Sequence, residues 1–237
     1  MGAKHFHFKH FSLAHDRCSH KVGTDGVLLG SWVNIKQHDK FLLDIGTGCG
    51  LIALMLAQRS KEDVRIDAVE IEEKDAGQAR ENIASSPWVQ KVTVINQSIE
   101  SFSATRQYDL IVSNPPYFSN SLLPPEQHRT RARHTQSLTF ENLLASAKRL
   151  LSPEGRFSVI LPFVEGVRFT NVAAALQLFP VRRTTFQSRQ QKPIERVLIE
   201  FSAENGCPEE TSLILYGEDG NWTDEYIGLT KEFYLRN

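Results

Sequence analysis

The chain has 237 residues, of which 41% are hydrophobic, and its formal net charge at pH 7 is -1. A chain of this size buries about 70% of its extended surface on folding, so we expect one globular domain with a full core. No apolar run is long enough to span a bilayer, the first twenty residues hold five of the eight histidines, and the three cysteines form no Cys-x-x-Cys pair. These features argue against a membrane protein, a secreted protein and a disulfide or zinc scaffold, and we expect a cytoplasmic protein.

The predicted elements alternate between short β-rich runs and longer helical stretches, which indicates an α/β fold with a mostly parallel sheet. A short N-terminal extension predicts a strand around Phe6, Phe8 and Phe11 and an apolar helix at 27–33. The predicted core strands are 41–45, 64–71, 92–95, 108–112, 156–161, 181–187 and 196–201. The predicted helices are 51–58, 73–85, 140–151 and 164–178. The result is a seven-stranded sheet that ends in an antiparallel hairpin.

These elements predict a single domain over 1–237. Its parts would be a leader of strand and helix at 1–40, a catalytic core at 41–203 and an acidic C-terminal extension at 204–237. The stretch 118–136 breaks the alternation because it lacks any periodicity. A loop of this length is uncommon in a compact domain, so we expect it to be functional or mobile.

The near-zero net charge is an average over blocks of opposite sign. Residues 120–203 carry twelve Lys and Arg against six Asp and Glu, whereas 204–237 carry two against eight. The cations of the basic block that stand out are Arg129, Arg131 and Arg133, and then Arg182, Arg183, Arg189, Lys192 and Arg196 on the predicted hairpin. Clustered guanidinium groups are typical of phosphate contacts with a nucleic acid, although solvated surface arginines are also common.

A glycine-rich sequence, Asp44-Ile-Gly46-Thr-Gly48-Cys-Gly50, stands where the first core strand is predicted to turn into a helix. Glycines there permit positive φ and let a ligand approach the backbone, and the helix N-terminus offers unpaired N–H groups. A dinucleotide fingerprint needs a third glycine where this chain has Leu51, so the spacing fits S-adenosylmethionine better than NAD. Glu70 ends the next predicted strand, where a carboxylate can accept the hydroxyls of a ribose. A tight turn followed by a surface glutamate is the alternative.

The sequence Asn114-Pro115-Pro116-Tyr117 directly follows the fourth core strand, whose end should lie beside the same pocket. An exocyclic amino group is a poor nucleophile because its lone pair is delocalised. The Asn114 side-chain oxygen and the Pro115 carbonyl can each accept one N–H of such a group, and the prolines fix the backbone. Tyr117 offers a flat face on which a base or amide can stack. The box indicates methylation of an amino group, although alone it would also suit a simple Pro-Pro turn.

Together these features resemble the class I methyltransferases that modify exocyclic or amide nitrogen. Within that group the chain resembles, over essentially its whole length, the bacterial tRNA(Val) adenine-N6 methyltransferases. The narrower resemblance is carried by Phe6-x-Phe8-Lys9-x-Phe11, Lys21-Val-Gly-Thr24-Asp25-Gly26-Val-Leu-Leu-Gly30, Ala132-Arg133-His134 with Ser137-Leu138-Thr139, and Phe233-Tyr234-Leu235. The resemblance implies a Rossmann-like fold, S-adenosylmethionine as cofactor, and methyl transfer to N6 of adenosine 37 in a valine tRNA.

The resemblance also implies a role for individual residues, carried over by position. The catalytic residues would be Asn114, Pro115 and Tyr117. The cofactor site would include Thr24, Asp25, Asp44, Gly46, Gly48, Gly50, Glu70, Ser98 and Asn114. The charge of the basic block, rather than the resemblance, predicts that the RNA contacts Arg129, Arg131, Arg133, Arg182 and Arg183. We expect no metal ion, no membrane association and a monomeric enzyme.

One position departs from the pattern of the class I enzymes. Many of them hold the adenine of the cofactor with an acidic residue after the third strand, whereas this chain reads Asn96-Gln-Ser98-Ile. The resemblance therefore leaves this contact to Ser98 or to backbone groups.

Three other functions remain open on the sequence. A glutamine methyltransferase acting on a release factor would use the same Asn-Pro-Pro-Tyr box, but such enzymes usually carry a helical domain before the glycine loop, and 43 residues precede Asp44 here. A guanine-N2 rRNA methyltransferase is the second, although such chains are often longer. An RNA-binding module that has lost catalysis is the third, and the intact glycines and Asn114 argue against it.

Overall fold

A computed structural model of the protein describes residues 5–19, 21–116 and 138–235. The strands in this part of the chain are β1 (His5–His7), β2 (Ser12–Ala14), β3 (Phe41–Ile45), β4 (Arg65–Glu70), β5 (Val92–Asn96), β6 (Tyr108–Ser113), β7 (Leu151–Pro162), β8 (Phe179–Arg189), β9 (Arg196–Ser202) and β10 (Glu209–Tyr216). The helices are α1 (Thr24–Trp32), α2 (Leu51–Arg59), α3 (Glu73–Ala84), α4 (Phe140–Leu150), α5 (Phe163–Ala175) and α6 (Asp224–Thr230).

The core of the molecule is an eight-stranded sheet in the order β10-β8-β9-β7-β6-β3-β4-β5. Strand β9 is antiparallel to its neighbours β7 and β8, and every other neighbouring pair in this sheet is parallel. The predicted α/β fold, with a mostly parallel sheet and an antiparallel β8–β9 hairpin, is confirmed. The predicted number of strands, seven, is one too few.

The additional strand is β10, which lies in the segment predicted to be an acidic extension. It pairs with β8 so that Glu209 is opposite Arg182 and Glu210 is opposite Arg183, with 3.4 Å between Glu210 Oε1 and Arg183 Nη1. The first half of β10 is exposed and polar, as an edge strand permits, and therefore lacks the alternation from which a strand is predicted. The acidic segment thus lies against part of the basic block.

Helices cover both faces of the sheet and bury two hydrophobic clusters. Helices α1 and α2 pack in one cluster, and α4 and α5 pack in the other. Glycines allow α1 to approach α2 closely: a Cβ on Gly26 would lie 2.8 Å from Leu51 Cδ2, and one on Gly30 would lie 2.6 Å from Met55 Sδ. This packing places the start of α1, which precedes its predicted start by three residues, beside the start of α2.

The strand order reverses between β3 and β6, where ligands bind in open α/β sheets. The last residues of these strands, Ile45 and Ser113, are opposite each other, and Ser113 Oγ donates a hydrogen bond to the Ile45 carbonyl at 2.9 Å. Because the glycine loop follows Ile45 and Asn114 follows Ser113, both motifs begin side by side at the carboxyl edge of the sheet.

The two ends of the described chain meet over α2. The predicted first strand is a hairpin of β1 and β2, and the Lys9 backbone N–H donates to the Phe233 carbonyl at 2.8 Å. Gln58 Nε2 donates to the Glu232 carbonyl at 2.9 Å, which joins the C-terminal segment to α2. None of the helices in the described ranges is long and apolar enough to cross a membrane.

Candidate active site

The glycine loop between β3 and α2 has a backbone that favours glycine. Gly46, Gly48 and Gly50 have φ of 72°, 56° and 87°. A Cβ on Gly46 or Gly48 would meet nothing within 4 Å, so the space in front of these two residues is open. A Cβ on Gly50 would instead lie 3.5 Å from Ala79 Cβ on α3. Gly46 and Gly48 therefore leave room for a ligand, whereas Gly50 lets the loop pack on α3.

Asp44 lies beneath this loop and is fully buried. Its Oδ2 accepts a hydrogen bond from Thr47 Oγ1 at 2.6 Å and from the Ala53 N–H at 3.1 Å. Its Oδ1 has no hydrogen-bond partner among the described residues. Burial raises the pKa of Asp44 to about 7, against the opposing effect of the two hydrogen bonds. An orphaned buried carboxylate oxygen of this kind suits a ligand with a cationic or N–H donor.

Glu70, at the end of β4, is tied to the same loop. Its Oε2 accepts the Gly48 N–H at 2.9 Å, and its Oε1 accepts the Glu72 N–H at 3.0 Å. Burial is the main cause that raises the pKa of this carboxyl. Each carboxylate oxygen still has a further acceptor position, which suits the two hydroxyls of a ribose.

The end of β5 completes this side of the site. Asn96 Nδ2 donates to the carbonyls of Glu70 and Ile71 at 2.9 and 3.0 Å, so it fixes the chain just after Glu70. Ser98 is half-buried, and its Oγ accepts a hydrogen bond from the Glu100 N–H at 3.4 Å. The predicted adenine contact thus falls on a hydroxyl that already caps a turn.

The predicted catalytic residues are only partly covered by the described chain. Asn114 is half-buried, and Pro115 beside it is buried. Tyr117, together with the predicted RNA contacts Arg129, Arg131 and Arg133, lies outside the described residues.

Thr24 and Asp25 lie in the first turn of α1. Thr24 is exposed, whereas Asp25 Oδ2 accepts a hydrogen bond from Arg196 Nε at 2.9 Å. Since Gly26 contacts Leu51, the residue after Gly50, this turn lies next to the glycine loop. The structure therefore brings Asp25 to the same edge of the sheet as the loop and Asn114.

Arg182 and Arg183 are not placed at that edge. Arg182 is opposite Glu200 on β9, four residues from Arg196, and thus about 13 Å along the strand from the edge. Its guanidinium carbon lies 3.7 Å from the centroid of the Trp32 ring, and its Nη2 lies 3.7 Å from Glu200 Oε2. Burial lowers the pKa of Arg182. These contacts give Arg182 a role in packing, and the predicted RNA contact stays a prediction.

Sequence reasoning missed the residues that hold the site in shape. Thr47 donates a hydrogen bond to Asp44. Asn96 donates to a carbonyl at the end of β4, and Ser113 donates to a carbonyl at the end of β3. All three are short polar residues at the ends of strands or in the loop. That position is the one signal the sequence offers for them.

Comparison with known proteins identifies the family. A family model described as "Methyltransferase small domain" matches residues 22–172. The tRNA1(Val) (adenine(37)-N6)-methyltransferase of Bacteroides thetaiotaomicron is 43% identical and covers 99% of this chain and 99% of its own length. The protein of the same name from Aeromonas hydrophila subsp. hydrophila is 45% identical, over 98% of this chain and 97% of its own length. The chain belongs to the tRNA1(Val) (adenine(37)-N6)-methyltransferase family.

This membership of the tRNA1(Val) (adenine(37)-N6)-methyltransferase family confirms the resemblance found in the sequence. The crystal structure of a predicted O-methyltransferase from Agrobacterium tumefaciens is similar in fold, with a TM-score of 0.69 and 16% identity over 88% of this chain and 96% of that one. At 16% sequence identity, this similarity shows a shared fold and carries no statement about activity. The methyltransferase model covers both the glycine loop and Asn114, while the roles of single residues stay predictions.

Proposed function

We propose that the protein is an S-adenosylmethionine-dependent enzyme that methylates N6 of adenosine 37 in a valine tRNA. The observation that carries the proposal is the placement of Asn114 beside an open glycine loop, at paired strand ends. It is supported by relatives named for this reaction that are 43% and 45% identical over nearly the whole chain. Such an enzyme would work in the cytoplasm, and we propose a monomer that needs no metal.

The cofactor site is formed by the carboxyl ends of β3 and β4. Gly46 and Gly48 leave the backbone open to a ligand. The Oδ1 atom of Asp44 accepts no hydrogen bond from the described residues, so it can accept one from the ligand. Glu70 offers two carboxylate oxygens for the ribose hydroxyls. S-adenosylmethionine, when bound, supplies a methyl group on a positively charged sulfur. These acceptors fit the ammonium group of its amino acid part and the hydroxyls of its ribose.

Asn114 and Pro115 bind the amino group that is methylated. The Asn114 side-chain oxygen and the Pro115 carbonyl each accept one N–H of the adenine amine, which turns its lone pair out of conjugation with the ring. The role proposed for Tyr117, from the sequence alone, is to stack on the base. An adenine inside a folded anticodon loop reaches this pocket by leaving its stack, as is usual for enzymes that act on a base.

The protein's contribution to the rate is chiefly positioning. Asn114 has an amide that neither takes up nor releases a proton at neutral pH, so it serves as an acceptor that aligns the amine. The amine becomes acidic only after transfer, and its proton can then leave to water. Holding two reactants in line and excluding water is worth several orders of magnitude in rate.

The test is a methylation assay on tRNA that lacks the modification, with the methyl group of S-adenosylmethionine labelled. We expect labelled N6-methyladenosine in the digested RNA, confined to valine tRNA and absent with the Asn114→Ala variant. If the tRNA stays unlabelled while parallel reactions label a glutamine of a release factor or a guanosine of rRNA, the proposal is overturned in favour of one of the alternatives. Purified valine tRNA that already carries the modification serves as the matched negative control.

A further inference from the structure

Arg196 begins β9 and lies at the carboxyl edge of the sheet. The register places it opposite Pro162 on β7 and Phe186 on β8, while Ser113 pairs with Val159, further back along β7. Its Nε donates to Asp25 Oδ2 at 2.9 Å, and its Nη1 donates to the Glu195 carbonyl at 3.0 Å. The sequence suggested phosphate contacts for the cations of this hairpin, but here the guanidinium is directed at the first turn of α1.

The first turn of α1 differs from the rest of that helix. From Gly26 to Trp32 every residue is buried, and Gly26 and Gly30 fix the helix against α2. Thr24 is exposed, and the N-cap residue is Gly23, which has no side chain with which to cap the helix. The Asp25–Arg196 pair joins this turn to the sheet across 171 residues of sequence.

We propose that Arg196 is a positioning residue for the cofactor site: its ion pair with Asp25 holds the first turn of α1 against the edge of the glycine loop. The inference rests on the proposed function, because it assigns a residue to the cofactor site of that reaction. Arg196 acts through Asp25 and reaches the loop at Gly50, since Gly26 packs on Leu51, the next residue after Gly50.

Two features favour this role over a purely structural one. The side chains of Asp25 and Arg196 are 19% and 30% exposed, and ion pairs near the surface add little to the free energy of unfolding. The pair nevertheless restricts a turn that forms one wall of the proposed cofactor site. Loss of the pair should therefore lower the affinity for the cofactor more than it lowers the free energy of unfolding.

The experiment measures S-adenosylmethionine binding to the full chain by calorimetry, together with steady-state methylation of tRNA. The variants are Arg196→Gln, Arg196→Lys, Asp25→Asn and the double variant Arg196→Gln/Asp25→Asn. The matched control is Arg168→Gln, which removes an ion pair to Glu165 of 3.2 Å on α5. Thermal unfolding of each variant verifies that it is folded.

We expect Arg196→Gln to weaken cofactor binding about fivefold or more, a coupling of ordinary size between two sites. The kcat at saturating cofactor should stay within about twofold, and Arg196→Lys should recover part of the affinity because it keeps the charge. In the Asp25→Asn background the Arg196→Gln change should have no further effect, because the two residues act as one unit. The Arg168→Gln control should bind like the wild type.

Three results would overturn the inference: cofactor affinity of Arg196→Gln equal to that of the control, an increase in the KM for tRNA alone, or losses that multiply in the double variant. The second result would mean that Arg196 contacts RNA. If the wild type binds S-adenosylmethionine but methylates no tRNA, the proposed function fails, while the binding measurements still decide the role of Arg196.

Discussion

Glu70 accepts a hydrogen bond from the backbone N–H of Gly48, with 2.9 Å between Oε2 and the nitrogen. The last residue of β4 therefore holds the loop that follows β3. The other carboxylate oxygen accepts the Glu72 N–H at 3.0 Å, so one side chain fixes both loops at this edge of the sheet. Glu70 shapes the glycine loop in addition to offering acceptors to a ligand.

Glu70→Ala should weaken cofactor binding by more than tenfold. The change removes the proposed ribose acceptors, and it also removes the partner of the half-buried Gly48 N–H, which holds the glycine loop in shape. Calorimetry of S-adenosylmethionine binding measures the effect. Glu73→Ala, an exposed residue three positions on, is the control and should bind as the wild type does. Equal affinities of the two variants would contradict the role given to Glu70.

Asp44 should make the stability of the ligand-free protein depend on pH. Burial raises its pKa from an ordinary value of 3.8 to about 7. Between these two pH values the folded chain keeps a proton that the unfolded chain has lost. The folded state is therefore favoured at low pH, and this contribution is lost as the pH rises from about 4 to about 7. It amounts to a few kcal/mol at most, since a tenfold change in ionisation is worth about 1.4 kcal/mol.

Asp44→Asn provides the measurement, because asparagine cannot ionise. In urea unfolding at pH 5 and pH 8, the wild type should lose stability relative to the variant as the pH rises. Cofactor binding to the wild type should tighten over the same range, since a cationic ligand favours the ionised carboxylate, and the variant should lack this trend. Parallel stability curves for the two proteins would contradict the pKa given to Asp44.

The sequence predicted the parts of the fold in which pattern and turn chemistry agree. Strand β3 has its predicted bounds. The apolar run there is followed directly by glycines, whose positive φ is typical of a turn and therefore marks the end of the strand. Strand β10 was missed because its first half is exposed and polar, so the alternation that predicts a strand is absent there. The surroundings of Arg182 could not be predicted, since the position of Glu200 beside it depends on the register of β8 on β9, which no local pattern specifies.

Asn114→Ala should abolish methyl transfer while cofactor affinity changes by no more than a few fold. The side-chain amide is the proposed acceptor for the adenine amine, whereas Asp44 and Glu70 are proposed to contact the cofactor. Single-turnover methylation of tRNA and calorimetry of the same protein preparation separate the two effects. Turnover that survives the substitution would show that the amine is oriented by other groups.

Arg182→Leu should destabilise the protein by about 1–3 kcal/mol, because the buried Glu200 then loses one of its two cationic neighbours. Glu200 is 5% exposed, and besides Arg182 it has Ser158 Oγ at 3.1 Å and Arg156 Nε at 3.9 Å. Arg183→Leu removes a pair with the exposed Glu210 and should cost about 1 kcal/mol or less. Urea unfolding measures both. A stable Arg182→Leu variant with a raised KM for tRNA would instead support the RNA contact predicted from the sequence.

Phe233→Ala should destabilise the protein by about 3–5 kcal/mol, as is usual for removal of a buried aromatic ring. Phe233 is 1% exposed and belongs to the same hydrophobic cluster as α1 and α2, and its carbonyl accepts the Lys9 N–H. The C-terminal segment therefore completes the core that supports the glycine loop. Leu235→Ala, two residues on and 60% exposed, is the matched control and should change stability by about 0.5 kcal/mol or less. Equal midpoints of urea unfolding for the two variants would mean that this segment is dispensable for the core.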